Sequence, residues 1–165
     1  MTGVLPAGRL SALLQYPDAT FFSVLKECRD AGAPGTESPV SRFARGIEGL
    51  SIKRLQELYV DAFDLDPSCT LDLGWHLFGE TYERGALLAR LRAELCELGI
   101  AERNELPDHL PTVLVLLDRL EDSRRAELRG IIAPALGKLH AALAVRANPY
   151  AHLITGVLAT DAAGG

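Results

Sequence analysis

The segment FDLDPSCTLDLGWHLFGE, residues 63–80, concentrates side chains that could bind a cation or transfer a proton. Its candidate ligands are Asp64, Asp66, Cys69, Asp72, His76 and Glu80. Carboxylates suit calcium, cysteine with histidine suits zinc, and a cysteine activated by a histidine can act as a nucleophile. The spacing of these residues, and the helices that carry them, decide among the three chemistries.

The spacing excludes an EF-hand calcium loop. Such a loop needs Asp or Asn at alternating positions, a glycine at the sixth position and a glutamate at the twelfth. Counted from Asp64, the sixth residue is Cys69 and the twelfth is Trp75, so the turn and the bidentate carboxylate are both missing. We interpret Asp66 or Ser68 instead as the cap of a helix that begins near Cys69.

Zinc binding and nucleophilic catalysis fit the segment little better. Asp72 and His76 lie four residues apart on one helical face, but a structural zinc site needs four ligands. No recognisable elbow precedes Cys69, so His76 or His109 would have to reach it through tertiary structure. We therefore expect no catalytic residue, metal or cofactor. The alternative is a small metal-binding protein or enzyme that uses Asp64, Asp66, Cys69, Asp72 and His76.

Length and charge limit the class of protein. The 165 residues are 48% hydrophobic and 24% charged, so we predict a single globular domain over residues 1–165. Lys and Arg number 17 and Asp and Glu 22, which gives a net charge of −5. Because no run of basic residues could follow a phosphate backbone, nucleic acid is not an expected partner.

The sequence also predicts a cytoplasmic location. The N-terminal residues have no basic region before their apolar stretch, and Arg9 interrupts that stretch, so we expect no secretory signal. No window approaches the roughly 20 apolar residues that span a bilayer, which leaves membrane contact only through a client complex. Three cysteines without a C-x-x-C pair favour a reducing compartment.

The spacing of apolar residues predicts an all-α bundle of about eight helices. Ser51 begins one helix, Gly99 ends a long one, and Asn148 caps the last. Another long helix is predicted from about Ser123 to Val145. The stretch DAGAPGTESP, residues 30–39, is the most loop-like part of the interior.

Five motifs in fixed order resemble the NarJ-like family of nitrate reductase molybdenum-cofactor assembly chaperones, within the wider TorD/DmsD group. They are LLQYPD, LYVDAFDLDPSCTLDLGWHLFGETYERGALLARL, ELPDHLPTVLVLLDRL, APALGKLHAAL and NPYAHLI. The resemblance covers residues 10–153 and leaves the loop at residues 31–38 unmatched. Longer members of that family continue with a polar C-terminal region, whereas this sequence ends in ATDAAGG.

The family's motifs fall on particular residues of this sequence. Its Y-x-x-x-F pattern matches Tyr59 and Phe63, and its E-x-x-D-H signature matches Glu105, Asp108 and His109. An HLFGE element followed by RG matches residues 76–80 with Arg84 and Gly85.

The resemblance implies an all-helical cytoplasmic protein without catalytic activity. It would bind the N-terminal segment of an apo molybdoenzyme catalytic subunit, of the nitrate reductase type, and hold it for molybdenum-cofactor insertion. The client could instead be a selenate, perchlorate or hydrocarbon-oxidising relative of nitrate reductase.

A client segment that folds into an amphipathic helix needs an apolar groove with polar groups at its ends. The residues predicted to contact the client are Tyr59, Phe63, Asp64, Leu73, His76, Leu77, Arg84, Glu105, Asp108 and His109. The aromatic and leucine side chains would form the groove, and the E-x-x-D-H residues its anionic end, which attracts Lys or Arg of the client. Alternatively, Asp108 is the N-cap of a helix that has Pro111 at its third position.

Overall fold

Nine α-helices build the part of the protein that the structure, a computed structural model, describes: residues 5–32 and 37–163, with side chains up to residue 160. The helices are α1 (Ala7–Leu13), α2 (Phe21–Asp30), α3 (Pro39–Gly46), α4 (Ile52–Phe63), α5 (Leu73–Phe78), α6 (Tyr82–Glu97), α7 (Leu110–Arg119), α8 (Asp122–Val145) and α9 (Tyr150–Ala163). A 3₁₀ turn, Pro67–Cys69, separates α4 from α5. No β-strand occurs within these ranges, so the all-α prediction is confirmed, with nine helices in place of about eight.

Short polar side chains and a glycine set several helix ends where the sequence predicts them. Ser51 Oγ accepts the N–H of Arg54 at the start of α4 (3.3 Å), and Asn148 Oδ1 accepts the N–H of Tyr150 at the start of α9 (2.9 Å). Gly99 follows α6 with a φ of +69°, a conformation that glycine adopts without strain. The bounds of α8 lie within one residue of the predicted ones.

The predicted loop at residues 30–39 connects α2 to α3, and its residues 33–36 lie outside the described part of the chain. The capping role predicted for Asp66 is confirmed, but for a shorter element. Its Oδ1 accepts the N–H of Ser68 at 2.9 Å and caps the 3₁₀ turn, while the same carboxylate pairs with Arg146. Helix α5 begins only at Leu73.

An aromatic cluster joins α3, α4 and α9 in the core. The fully buried ring of Tyr150 lies 5.0 Å from the rings of Phe43 and Phe63, and 5.7 Å from that of Tyr59, between centroids. Steeply inclined rings at these separations attract one another beyond their buried area. The cluster therefore fixes the two aromatic side chains that α4 contributes to the predicted groove.

Helix α1 packs antiparallel against α7. Near the start of α1, Gly8 donates its N–H to Asp118 Oδ2 at the far end of α7 (2.6 Å). Further along α1, the buried Ser11 hydroxyl donates to the carbonyl of Pro111 in the first turn of α7 (2.6 Å). The segment that follows α1 therefore leaves beside the N-terminal end of α7.

A short antiparallel bridge joins the segments that precede α5 and α7. Leu73 donates its N–H to the carbonyl of Asp108 (3.0 Å), and Leu110 donates its N–H to the carbonyl of Leu71 (2.9 Å). These bonds set Asp72 opposite the residue that precedes Leu110. Two segments far apart in sequence thus lie side by side.

Helix α8 is long and apolar enough to cross a membrane by length and composition alone, so the prediction that no window approaches this length was wrong. Its 24 residues include an 18-residue window with a mean hydropathy of 1.3, of which 33% is buried. Long core helices of soluble proteins have the same length and composition. In this structure α8 packs against α5 and α9, with Leu128, Ile132 and Leu136 buried.

Candidate functional site

A cleft of about 600 Å³ opens between α1, α4, α7 and the loop that follows α6. Its apolar wall consists of Tyr16, Tyr59, Phe63, Ile100 and Val115. Charged side chains line it as well, namely Asp64, Asp72, Arg103, Glu105, His109 and Arg119. An apolar wall with a few converging polar groups is the usual composition of a binding site.

A smaller cleft of about 300 Å³ lies beside the segment between α4 and α5. The two clefts adjoin along this segment, because both are lined by Phe63, Asp64, Thr70 and Asp72. Trp75 and Arg84 are among the residues that line only the smaller one, together with Asp66 and Pro67. The segment that first suggested a metal site thus borders two cavities, each large enough to bind a ligand.

The aromatic wall is rigid on its inner side and open on its outer side. Tyr59 is 6% exposed and donates its hydroxyl to the carbonyl of Leu14 at 3.0 Å. Its ring packs edge to face against Phe63 at 4.9 Å and against Tyr16 at 5.7 Å. Tyr16 itself is 55% exposed, so its ring is available to a ligand.

Acidic groups surround this wall. Burial raises the pKa of Tyr59, and the negative charges of Asp64 and Glu105 raise it further. The phenol therefore stays neutral at physiological pH and keeps its hydrogen bond to the backbone. Both carboxylates therefore add negative charge to the surroundings of this ring, and both line the cleft.

The bridge between the α5 and α7 segments brings His109 against Asp72. His109 Nδ1 lies 3.1 Å from Asp72 Oδ1, and both side chains are partly buried. The hydrogen bond from His109 lowers the pKa of Asp72, and the charges of His109, Arg84 and His76 lower it further, against the opposing effect of burial. Asp72 is thus an ionised acceptor that orients the imidazole through its Nδ1–H.

Behind this pair, Arg84, Asp108 and Gly74 form what we call the clamp. The fully buried Asp108 carboxylate accepts the N–H of Gly74 at 2.9 Å and the Nε–H of Arg84 at 3.2 Å. A Cβ on Gly74 would lie 2.6 Å from Asp108 Oδ2, so the glycine is required for this close approach. The clamp holds the start of α5 against α6 and the α7 segment.

The clamp corrects the alternative prediction for Asp108. The N-cap of α7 is His109, and Pro111 occupies the second helical position instead of the third. Asp108 does cap a helix, but it is α5, reached across the bridge. Asp72 occupies the N-cap position of α5, yet its side chain makes no cap bond there because it binds His109.

The structure separates the predicted contact residues into two groups. Those that line the larger cleft are Tyr59, Phe63, Asp64, Glu105 and His109, and Arg84 lines the smaller one. The others are not among the residues that line either cleft: Leu73, His76, Leu77 and Asp108. Leu73 is fully buried, Leu77 packs against the core, and His76 bonds through Nε2 to the carbonyl of Thr70 at 2.7 Å.

Several cleft residues were missed by the sequence reasoning. Tyr16 could have been predicted, because an aromatic residue directly before Pro17 cannot continue a helix and projects from its end. The same holds for one face of α7, because spacings of three and four residues bring Thr112, Val115 and Arg119 together there. The sequence indicated Asp72 only as a candidate metal ligand, and its place beside His109 in the cleft depends on the bridge.

The predicted ligands of the alternative metal site do not gather into one cluster. Cys69 is fully buried, and Asp66 is engaged by Ser68 and Arg146. Among the described residues, a different group could hold a metal ion: ligand atoms of Asp72, Glu105 and His109 lie within 4.8 Å of one another. The Asp72 carboxylate in this group already has a histidine and an arginine as partners.

The fold and the clefts define a class: a helical protein with an aromatic and acidic binding cleft and no assembled catalytic constellation among the described residues. The chain belongs to the nitrate reductase delta subunit family, whose model matches residues 29–155. This confirms the resemblance drawn from the motifs.

Two relatives from Escherichia coli strain K12 are similar to this chain over most of its length. The nitrate reductase molybdenum cofactor assembly chaperone NarJ is 33% identical over 151 residues, which cover 87% of this chain and 64% of the relative. The probable nitrate reductase molybdenum cofactor assembly chaperone NarW is 28% identical over 153 residues, which cover 90% and 64%. The chain thus spans less than two thirds of the length of these curated relatives.

Proposed function

We propose that this protein is a dedicated cytoplasmic chaperone, with one helical domain over residues 1–165 and no enzymatic activity. It binds the N-terminal segment of an apo molybdoenzyme catalytic subunit of the nitrate reductase type and holds it during molybdenum-cofactor insertion. The names of its relatives support the assembly role. Contact with a membrane comes only through the client complex.

The observation that carries the proposal is the larger cleft. Its aromatic wall from α4 and its acidic end from the α7 segment come from the two motifs that the resemblance matched. A client segment that becomes an amphipathic helix would bury its apolar face on Tyr16, Tyr59 and Phe63. Its basic residues would meet Asp64 and Glu105, which are both exposed.

We further propose which of the sequence-predicted residues touch the client. Tyr59, Phe63, Asp64, Glu105 and His109 make direct contact from the cleft. Arg84 and Asp108 act indirectly, because the clamp positions the segment that carries Asp72 and His109. Leu73, Leu77 and His76 support the wall from the core side.

Co-purification tests the proposal. The tagged full chain is co-expressed with the apo catalytic subunit of the nitrate reductase, in full and with its N-terminal segment deleted. We expect the full subunit to co-purify and the truncated one to be lost. Retention of the truncated subunit would contradict the N-terminal site.

The same experiment in the native host identifies the client. Mass spectrometry of the captured subunit separates a nitrate reductase from a selenate, perchlorate or hydrocarbon-oxidising relative. Metal analysis of the purified chain is a direct check on the remaining alternative. Stoichiometric zinc or calcium, whose removal by a mild chelator also lowers stability, would favour a metal-binding protein.

A further inference from the structure

We propose that the larger cleft binds its helix in one direction only, with the basic N-terminal end beside Asp72 and Glu105 and the C-terminal end beside Arg119. The inference rests on the proposed function and adds the orientation of the client, which that function leaves open. The apolar wall cannot set this orientation, because hydrophobic burial is non-directional. The charges at the two ends of the cleft can.

The length of the cleft can be estimated from helix α7, which forms one of its walls. Thr112, Val115 and Arg119 project into the cleft from one face of this helix, and His109 precedes its first turn. Helix α7 contains ten residues, which corresponds to a length of about 15 Å at 1.5 Å per residue. The cleft is thus elongated, with His109 at one end and Arg119 at the other.

The loop opposite α7 runs in the reverse direction and marks the same two ends. Arg119 Nη1 donates to the carbonyl of Leu98 (3.4 Å), so the loop begins beside the C-terminal end of α7. The Glu105 carboxylate lies within 4.8 Å of ligand atoms of Asp72 and His109, so the loop reaches the N-terminal end there. Both walls therefore place Arg119 at one end of the cleft and Glu105 with His109 at the other.

The two ends carry opposite charge. Asp72 and Glu105 lie together at the His109 end, and Asp64 lines the smaller cleft together with Asp72. Arg84 is also near Asp72, but its charge is balanced by the buried Asp108. The guanidinium of Arg103 is held by Gln15 Oε1 at 2.8 Å. Even with the Arg103 charge counted, this end is negative. The other end carries a positive charge on Arg119, one of the exposed residues of α7.

A bound helix would align with this field. Its N-terminus carries about half a positive charge and free N–H groups, which carboxylates accept, and its C-terminus carries about half a negative charge. Lys or Arg residues near the start of the segment add whole positive charges at the acidic end. The dipole of α7 opposes this parallel alignment, but its half charge is smaller than the net negative charge that three carboxylates and Arg103 leave at this end.

The exposed Cys96 provides a probe of orientation. It lies in the last turn of α6, two residues before Leu98, so a label there marks the Arg119 end. Cys28 and Cys69 are buried and react far more slowly. A nitroxide on Cys96 of the full chain therefore broadens the NMR signals of whichever end of a bound peptide lies close to it.

Two synthetic peptides of equal composition make the test. Both are twelve-residue amphipathic helices with blocked ends, and two lysines stand at the N-terminus in one and at the C-terminus in the other. We expect the first peptide to bind at least about fivefold more tightly. Its lysines and the positive end of its helix dipole favour the same orientation, whereas the second peptide must give up one of the two in either orientation. We also expect the nitroxide to broaden its C-terminal residues and spare its N-terminal ones.

A matched pair of variants assigns the effect to the cleft. Glu105→Gln should reduce the preference for the first peptide, whereas Glu48→Gln, an equal charge change at an exposed position that does not line the cleft, should leave it unchanged. Equal affinities, or broadening of the N-terminal residues of the first peptide, would overturn the orientation while the proposed function stands. Failure of both peptides to bind would overturn the orientation and the helix-binding cleft together. The chaperone role would then be tested separately by the co-purification experiment.

Discussion

The clamp and the rim of the larger cleft both contain carboxylates, but in opposite settings. In the clamp, Asp108 is fully buried and is bonded by Arg84 and Gly74. At the rim, which we define as Tyr16, Asp64 and Glu105, the side chains are exposed and face the cavity. Burial and internal partners, more than residue type, separate the groups that hold the fold from those available to a ligand.

The E-x-x-D-H signature illustrates this difference within five residues. Glu105 is exposed at the rim and Asp108 is buried in the clamp. His109 is intermediate in burial and packs against Asp72. The motif was predicted to form one polar end of the groove, but in the structure its residues belong to both the rim and the clamp. Variants of its members should affect stability and binding to different degrees.

The largest expected effect is on the clamp. Asp108→Ala leaves the Arg84 guanidinium without its buried partner and the N–H of Gly74 without an acceptor, so we expect a loss of about 3–5 kcal/mol in the free energy of unfolding. Urea denaturation measures it. The control Asp61→Ala removes an exposed carboxylate from α4 and should change stability by about 0.5 kcal/mol or less. A similarly small loss in Asp108→Ala would show that the clamp does not hold the fold.

The next effect tests a residue that belongs to both regions. Phe63 is 5% exposed, packs against Tyr59 and Tyr150, and lines both clefts. Phe63→Ala should cost about 3–5 kcal/mol of stability and also weaken peptide binding, because it opens a cavity in the wall. Thermal melting and calorimetric titration together decide. A variant that melts lower but binds the client peptide normally would assign Phe63 to the core alone.

A smaller effect isolates the rim. Tyr16→Ala should weaken client-peptide binding about tenfold with little change in stability, since exposed aromatic anchors contribute to binding more than to folding. Tyr82→Ala is the matched control, because Tyr82 is 97% exposed and lies outside both clefts. Calorimetric titration of each variant gives the comparison. Equal affinities for the two variants would remove Tyr16 from the binding surface.

The smallest effect is the pH dependence of stability from Asp72. Because its pKa is lower in the folded state, this carboxylate stabilises the protein above its unfolded pKa, about 3.9, and the contribution is lost as pH falls through the folded value. Urea denaturation between about pH 6 and pH 3 should therefore show a steeper loss in the wild type than in Asp72→Asn. Parallel curves would mean that the bond to His109 does not stabilise the carboxylate form.

Sequence reasoning succeeded where local chemistry decides the structure. Ser51, Gly99 and Asn148 set helix ends through contacts within a few residues, so their roles could be read directly. It failed for Asp108, which local rules assign to its own helix but tertiary structure assigns to α5. The proximity of Asp72 to His109 was equally hidden, since 37 positions separate them and only the bridge joins them.

The candidate site shows the same division. The aromatic pair Tyr59 and Phe63 could be recognised from the family's pattern, and both line the cleft. The leucines Leu73 and Leu77 were assigned to the groove as apolar side chains, and apolar character does not distinguish a core face from a binding face. Leu73 lies on the core side. In the loop that follows α6, the family's signature indicated Glu105, but Ile100 and Arg103 lie outside any motif or periodic pattern, so their contribution to the cleft emerged only from the structure.

An NMR titration of the full chain with a peptide of the client's N-terminal residues tests the central claim most directly. The backbone signals of the larger cleft should shift on binding, above all those of Tyr16, Asp64, Ile100, Thr112 and Val115. Signals from the exposed side of α8 should not move. Perturbation confined to α8 and α9, with the cleft unchanged, would contradict the claim that this cleft receives the client.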